Sequence, residues 1–245
     1  MRLIVLGKYS PFPPANGACP GYLLEEAGDY LLIDCGSGVV RALQQKMPFA
    51  ALHTVLLSHL HGDHCSDMSV LKYAAEAGKR ERCLPAHVRV FSPDEPAAEF
   101  SRLSYKNVVE AFAVADGTCV DIGAFHVEFF GVDHAMPCVA MRITAGGKSF
   151  CYSGDTGRCR GLLEAASGVD LMLCEASLLE RDKSYAASGH LTAGEAGAIA
   201  REAGVRALVI THLWPYYSEE ALRAECEARF LGPVNVAQEG KEYVL

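Results

Sequence analysis

The stretch Ser58–Met68 reads SHLHGDHCSDM and follows directly on the apolar run Thr54–Leu57, TVLL. His59, His61, Asp63 and His64 thus crowd the end of what reads as a buried strand. Polar groups withdrawn from water cost roughly 2–7 kcal/mol each unless they are paired, so four of them converging after such a strand need a shared partner. His59 and His61 lie two apart, and along an extended segment both point to one side. Gly62 then permits a sharp turn, after which Asp63 and His64 address a neighbouring position. One short loop of this kind serves two metal ions. Imidazole with carboxylate suits zinc, with iron and manganese as alternatives.

Three further segments end an apolar run in the same way: FFGVDH with His134, CYSGDT with Asp155 and VITH with His212. Polar residues at strand ends are where a sheet offers side chains to a shared cleft. Five imidazoles and two carboxylates therefore occupy equivalent places in their elements. A lone histidine carries no such weight, and His53, His87 and His126 read as hydrogen-bonded structure.

The rest of the chain supplies a scaffold for this pattern. Its 245 residues, half of them apolar, suffice for one domain with a sizeable core. Strand-like runs (LIVLG, GYLLEEAGDYLLIDCG with a Gly28–Asp29 hairpin signal, TVLLSH) precede two helix-like stretches, SDMSVLKYAAEAG and EPAAEFSRLSYKNVVEAF, with the strand AHVRVFSP between them. The second half repeats the order: GAFHVEFFGVDH, CVAMRITAGGKSFCYSGDT and LMLCEASLL, then the helix TAGEAGAIAREAG, the strand RALVITH and a terminal strand VNVAQEGKEYVL. In that helix Ala196, Ile199, Ala200 and Ala203 form an apolar stripe that Gly204 stops. The expectation is an α/β fold, a layered αββα sandwich spanning residues 1–245 as a single domain of two similar halves.

Composition excludes several classes. The net charge of −8 argues against a general nucleic-acid surface. The densest basic cluster, Lys79–Arg82, contains its own acid and reads as a solvated turn. Ten cysteines are scattered without a C-x-x-C pair, as expected of reduced core thiols. No apolar run approaches the roughly 18 residues of a membrane span. MRLIVLGKYS reads as a first strand rather than an export signal, so the expected compartment is the cytoplasm.

Taken in order, Asp34 in LLIDCG, the SHLHGDH cluster, His134, Asp155 in SGDT and His212 in THLWP resemble the metallo-β-lactamase superfamily over nearly the whole chain. The resemblance implies the four-layer fold and two Zn²⁺ (Mn²⁺ or Fe²⁺ as alternatives). His59, His61 and His134 would hold one ion, Asp63, His64 and His212 the other, and Asp155 would bridge them together with a hydroxide. The stretch CEASLLERDKSYAASGHLTAGEAGAIAREAG resembles the ribonuclease Z-like branch. Carried over, Glu175 would orient His190, and His190 would contact the scissile phosphate and assist the leaving group. Asp63, besides binding metal, would steer the proton of the nucleophile. Asp34 is either a partner of a ligating imidazole or the cap of a turn.

Two departures separate this chain from transfer-RNA processing enzymes. Only 20 residues lie between His134 and Asp155, where that branch carries a long gripping arm. The basic residues expected before Asn16 are Pro14 and Ala15. Both argue against transfer RNA. Two divalent cations set against Asp63, Asp155 and a hydroxide leave the site about one positive charge, which favours a small anionic substrate. The expected activity is that of a binuclear metal-dependent hydrolase acting on phosphodiesters. The alternative is a lactone or thioester hydrolase of the same superfamily. Trp214, Tyr216 and Tyr217 read either as a pocket wall or as packing in the core or in a homodimer contact.

Overall fold

The computed structural model describes residues 1–81 and 87–245, which divide into two compact units, Met1–Val114 with Gln238–Val244 and Ala115–Ala237 with Leu245. In the first unit the strands β1 (Arg2–Gly7), β2 (Gly21–Glu26), β3 (Asp29–Ile33), β4 (Thr54–Leu56), β5 (Val88–Ser92) and β6 (Val109–Ala113) form one mixed sheet in that order. The C-terminal strand Glu242–Val244 adds to it antiparallel beside β1. Ala27 and Gly28, at φ 53° and 87°, form the two-residue turn between β2 and β3. Two left-handed residues give a turn whose twist matches that of the strands it joins. From β3 to β6 the pairing is parallel, so the carboxyl ends of these strands emerge at one edge, where open α/β sheets bind ligands.

Leu3, Leu23, Leu24, Leu31, Leu32, Val55, Leu56 and Val90 are fully buried and anchor this sheet. Each contributes about 1.5–3 kcal/mol relative to exposure. Helices α1 (Val39–Leu43), α2 (Gly62–Cys65), α3 (Met68–Glu81) and α4 (Ala97–Phe100) lie in the connections.

Two expectations fail in this unit. The stretch EPAAEFSRLSYKNVVEAF is not a helix: only α4 is helical, and from Val109 the chain runs as edge strand β6. Lys106 at φ 49° ends any helical run, and the valines at 108 and 109 fit the pleat beside β5 better than a helix interior. The turn expected at Lys79–Arg82 is, through Glu81, the end of α3. Arg82 and Cys83 lie outside the described residues.

The second unit carries its own seven-stranded sheet. β7 (Cys119–Ile122), β8 (Phe125–Val132), β9 (Cys138–Ala145) and β10 (Lys148–Tyr152) form an antiparallel meander. β11 (Leu171–Glu175), β12 (Leu208–Thr211) and β13 (Val234–Val236) then continue in parallel. Helices α5 (Arg160–Ala166), α6 (Ala193–Glu202) and α7 (Glu219–Glu227) accompany them, and a 3₁₀ segment covers Glu180–Ser188. Thr192 caps α6 through a reciprocal pair with Glu195, which satisfies two amides the first turn leaves over. Ala196, Ile199 and Ala200 face the core, and Gly204, at φ 68°, ends the run.

The stretch expected as one terminal strand is two. Val234–Val236 pairs with β12, whereas Glu242–Val244 pairs with β1 in the sheet of the other unit. A turn closed by the Lys241 amide on the Gln238 carbonyl, with Gly240 at φ 80°, separates them. Among the described residues no helix is long and apolar enough to cross a membrane.

Candidate metal centre

Two sets of ligand-type side chains stand at strand ends, one in each unit. In the first, the chain leaves β4 through Leu57 and Ser58 and reaches the buried His59. His61 then precedes α2, a single helical turn that contains Asp63 and His64. Gly62 thus opens a helical turn rather than the sharp turn expected. Its backbone has room for a side chain, with nothing within 4 Å of an added Cβ.

Nδ1 of His64 lies 2.7 Å from Oδ2 of the fully buried Asp34, while its Nε2 faces Oδ2 of Asp63 at 3.6 Å. Asp34 also accepts the Ser58 amide at 2.8 Å and the Ser58 hydroxyl at 2.9 Å. It therefore holds the His64 imidazole and ties down the exit of β4; its hydrogen bonds to Ser58 are not those of a cap on its own turn. Asp34 does so from a left-handed backbone, φ 54°, a conformation that costs a non-glycine residue about 1–3 kcal/mol and clusters at functional sites. Nδ1 of His59 lies 3.0 Å from Ser58 Oγ, and its Nε2 lies 3.0 Å from Nδ1 of His61. Ser10 donates to Asp63 Oδ2 at 2.7 Å.

In the second unit His134 follows β8, Asp155 follows β10 and His212 follows β12. The Nδ1 atoms of both histidines are engaged by the protein. That of His134 donates to the Gly189 carbonyl at 2.9 Å, and that of His212 meets Ser177 Oγ at 2.7 Å. Their Nε2 atoms face Oδ2 of the buried Asp155, at 4.0 Å from His134 and 3.0 Å from His212. Gly189 is required where it stands. At φ 81°, an added Cβ would come within 2.8 Å of the His134 Cα. His212, like Asp34, is left-handed, at φ 60°.

The pair expected from the resemblance is formed: His190 Nδ1 lies 3.0 Å from Oε1 of Glu175. That fully buried carboxylate also accepts the Thr156 amide at 2.7 Å, the Leu191 amide at 3.2 Å and the Ser177 hydroxyl at 2.6 Å. Four donors compensate its burial. Ser177 therefore links Glu175 to His212. Burial opposes the charged form of His190, yet the Glu175 carboxylate prevails and raises the imidazole above its ordinary pKa. The ring stacks on His212 with centroids 5.5 Å apart, and donor atoms of Asp155, His190 and His212 lie within 4.8 Å of one another.

The donor set fits a divalent cation. His59, His64, His134 and His212 each have Nδ1 occupied by a hydroxyl, carboxylate or carbonyl, the outer partner that fixes a metal-binding imidazole. The sequence did not single out Ser10, Ser58, Ser177 or Gly189 as parts of the centre. Ser58 and Ser177 were visible only as neighbours of His59 and Glu175.

The remaining candidates divide. Trp214 is 38% and Tyr216 77% exposed, so neither is a core residue. Their rings meet edge to face at 6.0 Å, and Tyr217 donates to Asp182 at 2.6 Å. Tyr9, Pro14, Ala15 and Asn16 line a surface pocket of the first unit with Lys8 and Glu239. At the surface, His87 Nε2 lies 3.3 Å from Glu110 and His126 Nδ1 lies 2.7 Å from Asp121. Six of the nine described cysteines are buried. Burial pushes Cys19 and Cys151 to about 12, so they stay protonated.

Residues 29–213 match the model of the β-lactamase superfamily domain. The chain is 35% identical to a probable metallo-hydrolase, YhfI, of Bacillus subtilis, over 98% of both sequences. The crystal structure of that metallo-β-lactamase fold protein superposes with a TM-score of 0.94 at 32% identity, covering 99% of this chain and 98% of the other. A ribonuclease Z from Streptomyces avermitilis is 27% identical over 97% of this chain and 95% of its own length.

Proposed function

The chain belongs to the β-lactamase superfamily of metallo-hydrolases, and on that premise we propose that it hydrolyses small phosphodiesters with a pair of zinc ions. His59, His61 and His134 would hold one ion and Asp63, His64 and His212 the other, with Asp155 common to both; manganese or iron are the alternative metals. Bound there, two divalent cations supply Lewis-acid charge for a phosphoryl group and lower the pKa of water toward ~7.

The protein's own groups do the rest. Ser10 fixes Asp63 through Oδ2, which positions that carboxylate to accept the proton of an attacking water. Glu175 holds His190 by Nδ1, so its Nε2 presents a proton to the departing oxygen. Ser177 ties that same carboxylate to His212, so proton donor and metal ligand share one rigid support. The Glu175–His190 pair is the observation that supports the phosphodiester reading, since it forms the feature by which this chain resembles the ribonuclease Z-like branch, whose substrates are phosphodiesters. The 20 residues between His134 and Asp155 form the β9–β10 hairpin, leaving no long arm there for transfer RNA. A small anionic substrate fits better.

The test sets bis-p-nitrophenyl phosphate and cyclic nucleotides against a lactone and thioester panel, using zinc- and manganese-loaded protein. Turnover of the phosphodiesters is expected, with its loss in His190→Ala. Turnover of the carbonyl panel alone overturns the proposal.

A further inference from the structure

We propose that the outward face of the β7–β8 hairpin is a further metal site, in which Cys119, His126 and Glu128 bind zinc or another thiophilic divalent cation. β7 is the edge strand of its sheet, and the hairpin register sets Cys119 opposite Glu128 and Asp121 opposite His126. Side chains alternate across a strand: Ile122, Phe125 and Val127 point inward and are buried, while Cys119, Asp121 and His126 are exposed and Glu128 half-buried. Every outward position of this ladder thus carries a ligand-type group.

Donor atoms of Cys119, His126 and Glu128 lie within 4.8 Å of one another. Nδ1 of His126 is taken by Oδ1 of Asp121 at 2.7 Å, which leaves Nε2 as the ring nitrogen for a metal. A carboxylate behind a ligating imidazole is the usual support of zinc-bound histidine. One thiolate, one imidazole and one carboxylate make a three-ligand zinc site whose fourth position water fills, and the thiolate selects soft metals over magnesium or calcium. On binding, the Cys119 S–H proton passes to solvent as the sulfur–metal bond forms. None of these residues belongs to the centre described above, so the inference stands apart from the proposed reaction.

Cobalt(II) titration of the reduced protein tests it. The ligands proposed for the catalytic centre include no cysteine, so a near-ultraviolet thiolate-to-cobalt charge-transfer band reports the hairpin alone. Wild type should develop the band. Cys119→Ser should lack it and bind one equivalent of zinc fewer by elemental analysis, with unchanged phosphodiester hydrolysis and far-ultraviolet circular dichroism. His126→Ala should weaken the band's apparent affinity at least tenfold. Absence of the band from wild type, or its survival in Cys119→Ser with undiminished zinc, overturns the proposal.

Discussion

The exits of β3 and β4 in the first unit and of β11 in the second solve one problem in two ways. Each buries a carboxylate at a strand end and gives it a serine hydroxyl, at least one backbone amide and an imidazole. Asp34 spends its contacts on the Ser58 exit and on His64. Glu175 instead holds His190 directly and reaches His212 only through Ser177. On the proposed reading, a buried acid thus serves metal binding in one unit and proton transfer in the other. The difference lies in what stands beyond the carboxylate.

The largest effect expected from breaking this contrast is at His190. His190→Ala should lower phosphodiester hydrolysis by about 10²–10⁴-fold, the worth of a positioned acid, while metal content stays at the wild-type value. If elemental analysis shows metal lost as well, both carboxylates serve metal binding and the contrast collapses. Asp34→Asn should do the converse, reducing zinc affinity by about 10–100-fold in a competition titration.

A smaller effect falls on the support of His134. Gly189→Ala puts a side chain at φ 81° and against the His134 backbone, so urea denaturation should show a loss of about 1–3 kcal/mol. Smallest is Thr192→Ala, which removes the cap of α6 at a cost of about 1 kcal/mol. Thermal unfolding should register it with no change in metal affinity, because the cap touches neither Glu175 nor His190.

Legibility in the sequence followed distance along the chain. The first ligand set was readable because four of its members share one loop, where spacing and chemistry are seen together. The Glu175–His190 pair, 15 residues apart, was accessible only through resemblance, since no periodicity links a strand end to a loop before a helix. Ser177 escaped notice because its partners are two and 35 residues away, and a serine two positions after a glutamate carries no signal of its own. The helix expected across Glu95–Phe112 failed for a related reason. Local composition favoured a helix, but the valines at 108 and 109 had an open strand edge at β5 to pair with.

The order of apolar runs and the crowding of histidines and acids after them are properties of the sequence, because burial and ligand chemistry are written in residue type. Which nitrogen of each histidine is occupied, which carboxylate holds which ring, and that Val234–Val244 serves two different sheets were decided by tertiary structure. Those outcomes depend on hydrogen-bond partners brought together from distant segments, and no local pattern encodes a partner that folding alone delivers.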